Sequence, residues 1–238
     1  DNLEEAVVEE KKIEEMDVVF LMDRFGYAKT VDVSVYERNK EAADTENRYI
    51  LTCKNTDKIC IFTNKGQMHL LKVLDLPYGK FRDKGIPIDN LSNYDSSEEN
   101  FIYIINLGAI IHSRLLFGTR TAMLKMVDGS EFDVAKRTTA STKLNEDDEL
   151  LIVHAMTGEE TVVMQSEKEM FLRIEASTIP EKKKGAVGVR GMKLNAGDAL
   201  SNIYVLDGEN EQTVEVKGKE VVLNRLRVGN RDTKGTKR

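Results

Sequence analysis

Several features are scarce in this sequence of 238 residues, and each absence narrows the class of protein. No apolar run approaches the roughly 18 residues of a membrane-spanning helix, and the amino end lacks a signal-peptide pattern. The only two cysteines, Cys53 and Cys60, have no Cys or His neighbours at metal-ligand spacing. We therefore expect a cytoplasmic protein that makes no membrane contact, keeps its thiols reduced and binds no structural zinc.

Groups that catalyse reactions are scarce as well. The three histidines, His69, His112 and His154, each lie in or beside an apolar run, as strand histidines with a structural role do. The chain shows no Ser-His-Asp order, no phosphate-binding glycine-rich loop and no paired metal carboxylates in a suitable context. We expect neither a catalytic residue nor a cofactor. Tryptophan is absent too, but 40% of the residues are hydrophobic, which excludes disorder throughout the chain.

The acidic residues are concentrated at the start of the chain. The formal charge is −6, and residues 1–17 alone carry −6 because eight acids there face two lysines. The remainder is neutral, which permits a basic face but is mild evidence against nucleic-acid binding. We interpret residues 1–16 as an extended acidic leader or linker. Since the chain begins without Met in this stretch, we expect it to be part of a longer protein.

An internal repeat is the strongest pattern in the sequence. Five times an apolar, β-rich run meets a polar turn of four residues and a second β-rich run follows, which predicts five hairpins. The predicted turns are 23–26, 63–66, 118–121, 166–169 and 217–220. A further apolar run precedes each later hairpin, at 49–51, 101–105, 150–153 and 203–206. Three or more strands per period of about 50 residues predict an all-β, propeller-like disc of about five blades. An ordinary β-sandwich is the alternative.

Three stretches of the sequence resemble one known family, the carboxy-terminal domains of the A subunits of bacterial DNA gyrase and topoisomerase IV. Residues 17–36 are similar to the first blade of that domain. Ile61-Phe62-Thr63-Asn64-Lys65-Gly66, with residues 84–91, is similar to the second blade and the connection after it. Gly188-Val189-Arg190-Gly191, within residues 184–194, resembles a stretch near the carboxy end of the family. The resemblance extends over residues 17–228.

The resemblance implies a β-pinwheel, a propeller-like disc whose blades exchange strands and around which DNA is bent. It implies a non-catalytic domain of an ATP-dependent type II topoisomerase, whose partners are the cleavage core of the same polypeptide and a B-type ATPase subunit. It also implies a cytoplasmic, nucleoid-associated enzyme. The domain would present DNA to the cleavage core and so tune relaxation, decatenation or supercoiling.

One family motif is missing. Gyrase subunits carry a Gln-Arg-Arg-Gly-Gly-Lys-Gly box after the first blade, whereas residues 37–46 here contain no glycine and four acids. The missing box favours a parent of the topoisomerase IV type. A gyrase subunit with a degenerate box, and a propeller-like scaffold for protein partners, are the alternative hypotheses.

Basic residues recur at comparable points of the repeat. Largely sequence-independent binding of duplex DNA requires such residues, because they contact the phosphates. For any one of them, simple solubility is an equally good explanation. The residues predicted to bind DNA are Lys29, Arg38, Lys40, Lys72, Lys80, Arg82, Lys84, Lys125, Lys136, Arg137, Arg173, Lys182, Lys183, Lys184, Arg190 and Lys193. Residues 17–228 are predicted to form the pinwheel, and residues 229–238 a flexible basic tail.

Overall fold

The computed structural model of the chain describes residues 12–238, so most of the predicted acidic leader lies outside the described residues. Strands dominate, and the all-β prediction is confirmed. They are β1 (Asp17–Met22), β2 (Tyr27–Asp32), β3 (Tyr49–Lys54), β4 (Lys58–Thr63), β5 (Gln67–Lys72), β6 (Tyr78–Gly79), β7 (Ile86–Pro87), β8 (Phe101–Asn106), β9 (Arg114–Thr119), β10 (Met123–Asp128), β11 (Thr138–Ala140), β12 (Leu150–Met156), β13 (Thr161–Ser166), β14 (Met170–Glu175), β15 (Val189–Arg190), β16 (Leu200–Leu206), β17 (Thr213–Val216), β18 (Lys219–Val222) and β19 (Thr236–Lys237).

A few short helices accompany the strands. They are α1 (Val33–Arg38), α2 (Lys40–Glu46) and α3 (Leu107–Ile110), together with the 3-10 helices Val73–Asp75, Ile88–Asn90, Gly129–Phe132, Ala176–Thr178 and Leu223–Arg225. Helices α1 and α2 were not predicted from the sequence. Helix α1 begins where the Asp32 side chain accepts a hydrogen bond from the backbone N–H of Ser34, which is the usual N-cap contact.

All five predicted hairpins are present, as β1–β2, β4–β5, β9–β10, β13–β14 and β17–β18. The turns need a positive φ, which Gly26 and Gly66 supply as predicted. Two turns differ from the prediction. In the third, Ala122 adopts a φ of 66° in place of Thr121, and in the fifth Lys217 and Gly218 both have positive φ. The third turn therefore lies one residue later than predicted, at 119–122, where the N–H of Ala122 donates to the carbonyl of Thr119 at 3.0 Å.

Each hairpin forms the centre of a blade. Blade 1 has the strand order β3-β1-β2, with β6 and β7 both on the far edge of β2. Blades 2, 3 and 4 are four-stranded, with the orders β8-β4-β5-β11, β12-β9-β10-β15 and β16-β13-β14-β19. Blade 5 is the hairpin β17–β18 alone among the described residues.

The blades share strands according to one rule. The fourth strand of a blade comes from the connection that follows the next hairpin along the chain, so β11 crosses back from blade 3 to β5 of blade 2. The backbone contact repeats: the N–H groups of Thr30 and Met126 donate to the carbonyls of Pro77 and Pro180 at 2.8 and 2.9 Å. We call these returning connections, residues 77–87, 134–140, 180–190 and 226–238, the exchanged segments.

Glycines allow the exchanged segments to approach the hairpins closely. A Cβ on Gly188 would lie 2.5 Å from the carbonyl oxygen of Leu124, and one on Gly85 would lie 2.8 Å from that of Ala28. Gly235 has the same relation to the carbonyl oxygen of Phe171, which it approaches even more closely. In each case the residue after the glycine pairs with that strand residue, so the backbones meet at one equivalent point in three blades.

The blades pack face to face, and both faces of their central strands are buried. This explains why β1 has the continuous apolar sequence VVFLM and no alternation. Its residues Val18, Phe20 and Met22 pack towards blade 2, whereas Val19 and Leu21 face the other way. That second face is covered by α1 and α2, whose buried residue is Ala43.

The carboxy-terminal residues depart from the prediction. Residues 229–238 were predicted to be a flexible tail outside the pinwheel, but Thr236 and Lys237 pair with Phe171 and Met170 as the fourth strand of blade 4. The N–H of Arg238 also donates to the carbonyl of Glu169 at 3.0 Å. Polar composition concealed this strand, because its fixed position depends on backbone pairing to residues more than 60 positions away.

A glycine pair within one exchanged segment tests the close approach. Gly188→Ala should lower the free energy of unfolding by about 1–3 kcal/mol, because its Cβ has no room beside the Leu124 carbonyl. Gly185→Ala is the matched control, with no heavy atom within 4 Å of a Cβ there, and its effect should stay within about 0.5 kcal/mol. Urea denaturation measures both; equal effects would contradict the close-approach account.

Candidate nucleic-acid interface

Positive charge is concentrated on the exchanged segments. Their 42 residues contain 14 Lys and Arg against three acids, although the whole chain has 35 bases and 41 acids. The rest of the chain therefore has 21 bases and 38 acids. Since these segments form the fourth strands and the adjoining loops of blades 1 to 4, the basic residues lie along one kind of edge in successive blades. This is the arrangement that a grip on a curved duplex requires.

Most predicted DNA-binding residues are exposed. Lys182 and Lys184 are half-buried within their segment. The exposed ones are Arg38, Lys40, Lys72, Lys80, Arg82, Lys84, Lys136, Arg137, Lys183, Arg190 and Lys193. Of these, Arg38 and Lys40 lie on α1 and α2 and Lys72 ends β5, so they stand apart from the exchanged segments.

Three predicted DNA-binding residues face inward, and this position does not fit the predicted role. Lys125 is only 1% exposed, and its ammonium donates to the carbonyls of Lys183, Lys184 and Ala186 at 3.0, 3.3 and 2.6 Å. A strand alternates its faces, and sequence alone could not show that both faces of these strands are buried.

Lys29 and Arg173 are engaged in the same way. The Lys29 ammonium donates to the carbonyls of Phe81 and Asp83 at 2.6 and 3.0 Å. The Arg173 guanidinium donates to the carbonyls of Asn224 and Leu226 at 2.7 and 3.1 Å. These cations hold the backbone of the connections, and their donors are not directed at a ligand outside.

Two further basic residues are already engaged, Arg190 with a carboxylate and Lys184 with a backbone carbonyl. Arg190 forms a two-point ion pair with Asp232, one contact being Nη2 to Oδ2 at 3.0 Å. This contact lowers the pKa of the Asp232 carboxyl and raises that of Arg190. The Lys184 ammonium donates to the carbonyl of Glu131 at 3.1 Å. Lys182 and Lys183 have no such acidic partner among the described residues, and they are the cations of this segment best placed for phosphate.

One set of basic residues was missing from the predicted interface, and four of its five members lie in residues 229–238, which were predicted to be a tail. The structure places them on the exchanged segment of blade 4, where they are equivalent to the basic residues of the other blades. The set consists of Arg227, Arg231, Lys234, Lys237 and Arg238. A usable signal was present: Gly235-Thr236 repeats the Gly188-Val189 and Gly85-Ile86 pairs.

Other candidate chemistry gives no site. The described residues contain no group of three or more His, Cys, Asp or Glu that could hold a metal ion. Burial raises the pKa of the free thiols of Cys53 and Cys60 to about 11 and about 12, so both stay protonated at neutral pH. His69 is buried between Glu99 and Thr138, with contacts of 2.9 and 2.8 Å. From residue 12 onward, no helix has the length and apolar character to cross a membrane.

Comparison with known proteins agrees with this architecture. The family described as DNA gyrase C-terminal domain, beta-propeller, matches residues 113–155 and 160–207. The first match spans β9 to β12 and the second spans β13 to β16. Each match therefore contains one hairpin and the strand that precedes the next hairpin. The DNA gyrase A protein of Lawsonia intracellularis is 28% identical over 245 residues, covering 95% of this chain and 30% of that protein. The DNA gyrase A protein of Staphylococcus epidermidis is 28% identical over 251 residues, covering 98% and 28%.

The predicted resemblance to the gyrase and topoisomerase IV domains is confirmed. The chain spans less than a third of the length of these relatives. Among solved structures, the C-terminal domain of DNA topoisomerase IV superposes with a TM-score of 0.83 at 22% identity, over 94% of this chain and 73% of that one. The DNA gyrase A C-terminal domain gives 0.61 at 17% identity, over 93% and 76%. The β-pinwheel fold is therefore confirmed.

Proposed function

We propose that this β-pinwheel binds duplex DNA along its exchanged segments and bends it, with little dependence on sequence. The supporting observation is the segregation of charge, 14 bases against three acids in 42 residues of an otherwise acidic chain. Phosphates supply most of the sequence-independent affinity for DNA. Basic residues repeated along successive blade edges would meet successive stretches of one backbone, and bending allows more of them to bind at once.

The domain has a supporting role and no reaction of its own in this proposal. We propose that it needs no cofactor and carries no catalytic residue. Its parent would be an ATP-dependent type II DNA topoisomerase of the bacterial cytoplasm, associated with the nucleoid. The protein partners would be the cleavage core of the same polypeptide and the ATPase subunit, and the pinwheel would deliver DNA to the core.

We favour a parent of the topoisomerase IV type over gyrase. The supporting observation is local: residues 37–46, where a gyrase subunit carries its glycine-rich box, form the end of α1 and all of α2 against blade 1. A helical pair packed through Ala43 has no glycine-rich loop with which to fix the path of DNA between the first and last blades. DNA bent without a fixed path traps little writhe.

The first test of DNA binding uses duplexes of graded length at several salt concentrations, with a fluorescence readout of bending. Affinity should rise with length and fall steeply with salt, because each phosphate contact contributes about 0.9 to the logarithmic slope. Lys182→Gln with Lys183→Gln should reduce the slope by about 1.8. Lys65→Gln with Lys217→Gln, in hairpin turns outside the exchanged segments, is the matched control and should leave the slope nearly unchanged.

Two outcomes of this test would be decisive against the proposal. Negligible binding at low salt would overturn DNA binding and favour the scaffold for protein partners. Equal slope losses in the two double variants would show that affinity comes from general surface charge, with no special role for the exchanged segments.

The topoisomerase IV preference has its own test, ligation of nicked circular DNA with saturating domain bound. Chiral wrapping traps writhe, which ligation records as a shift in linking number. We expect a shift close to zero per bound domain, measured on agarose gels. A large shift of one sign would contradict the preference and favour the gyrase hypothesis.

A further inference from the structure

An inward-facing polar side chain recurs at one step of the repeat. It is the third residue after the positive-φ residue of the hairpin turn: Lys29 follows Gly26, His69 follows Gly66 and Lys125 follows Ala122. Each lies on the outgoing strand of its hairpin. Each also contacts the exchanged segment paired with that strand, Lys29 through Phe81 and Asp83 and His69 through Thr138.

Lys125 is the most enclosed of the three. Its Nζ lies 5.6 Å from the centre of the Phe117 ring, and burial lowers its pKa to about 8. Since this value is above 7, the amine keeps its proton at neutral pH and has three hydrogens to donate. The three carbonyl acceptors, of Lys183, Lys184 and Ala186, use all of them.

This contact fixes the middle of exchanged segment 180–190. Backbone pairing fixes only its two ends, through Lys182 to Met126 and through Val189 to Leu124. Between them, residues 183–188 form no strand and include two glycines. The Lys125 ammonium draws three carbonyls of this stretch inward, Lys184 adds two contacts to Glu131, and Lys183 remains exposed outside the segment.

We propose that Lys125 is a positioning residue, whose ammonium holds residues 183–188 so that Lys183 meets DNA phosphate beside Lys182, which backbone pairing fixes. This proposal rests on the proposed function. The loop loses its conformational entropy during folding, so less conformational entropy is lost when DNA binds. Lys29 has the corresponding role for segment 77–87, where Lys80, Arg82 and Lys84 are exposed.

The test replaces the ammonium with an uncharged side chain of similar length, Lys125→Met, in the full chain. Amide hydrogen exchange without DNA should quicken at least tenfold at Lys184 and Ala186, whose N–H groups are hydrogen-bonded in this stretch, and stay unchanged in β4 and β5. The salt slope of DNA binding should fall by about 0.9, the share of the Lys183 contact, because backbone pairing to Met126 still fixes Lys182. Lys125 itself is buried, so the loss of a direct contact cannot explain such a change.

Controls separate positioning from simple charge removal. Lys136→Met removes one exposed cation from another segment and should lower the slope by no more than about 0.9, without altering exchange in residues 183–188. In a Lys182→Gln/Lys183→Gln background, Lys125→Met should lower the slope no further. Lys125→Arg keeps the charge and the donors, and should retain most of the slope.

The possible failures are distinguishable. Unchanged exchange and an unchanged slope in Lys125→Met would overturn the positioning role. Quickened exchange with an unchanged slope would overturn it as well, leaving Lys125 a structural residue. If the wild-type chain fails to bind DNA, the proposed function falls instead. If Lys125→Met does not fold by circular dichroism, Lys29→Met carries the same test in segment 77–87, because Lys29 is only half-buried.

Discussion

The architecture depends on pairing the outer edge of the hairpins in blades 1 to 4. A lone two-stranded hairpin is marginal in water, and an unpaired edge exposes backbone donors and acceptors. Blades 1 to 4 meet this constraint with a segment that has already passed through the following blade. Each blade is therefore tied to its neighbour both by apolar packing and by backbone hydrogen bonds. The close approach of Gly85, Gly188 and Gly235 to the strands they cover is the local condition for that pairing.

The pairing of the exchanged segments with the hairpins also determines where the basic side chains lie. An exchanged segment runs along the edge of a blade, so one side of its backbone pairs with the hairpin while many of its side chains remain in solvent. Basic residues are thus displayed at the edges, and the acids are distributed over the remaining chain. Inward-facing Lys29 and Lys125 bond to carbonyls that strand pairing leaves without partners. Fold and proposed function therefore share one element, and a change in an exchanged segment affects both.

Local pattern was enough to predict the hairpins and the third strand of blades 1 to 4, and the resemblance of three stretches indicated the family. Turn residues and apolar runs such as 101–105 are recognisable from their own residue types, so β8 and the equivalent strands of the other blades were predictable. Long-range pairing was not, because a strand as short as Thr236–Lys237 has no periodicity of its own. Lys125 shows the same limit for the site: its charge predicted exposure, whereas three carbonyls from a segment about 60 residues away compensate its burial. Helices α1 and α2 pack on a blade face that the pattern of residues 33–46 did not predict.

The central claim is that the exchanged segments form the surface that DNA contacts. The most direct measurement is amide hydrogen exchange of the chain with and without a saturating long duplex. The account predicts slower exchange confined to residues 77–87, 134–140, 180–190 and 226–238, with little change in the hairpin turns such as 63–66. Protection centred on the turns or on α1 and α2, with the exchanged segments unaffected, would contradict it.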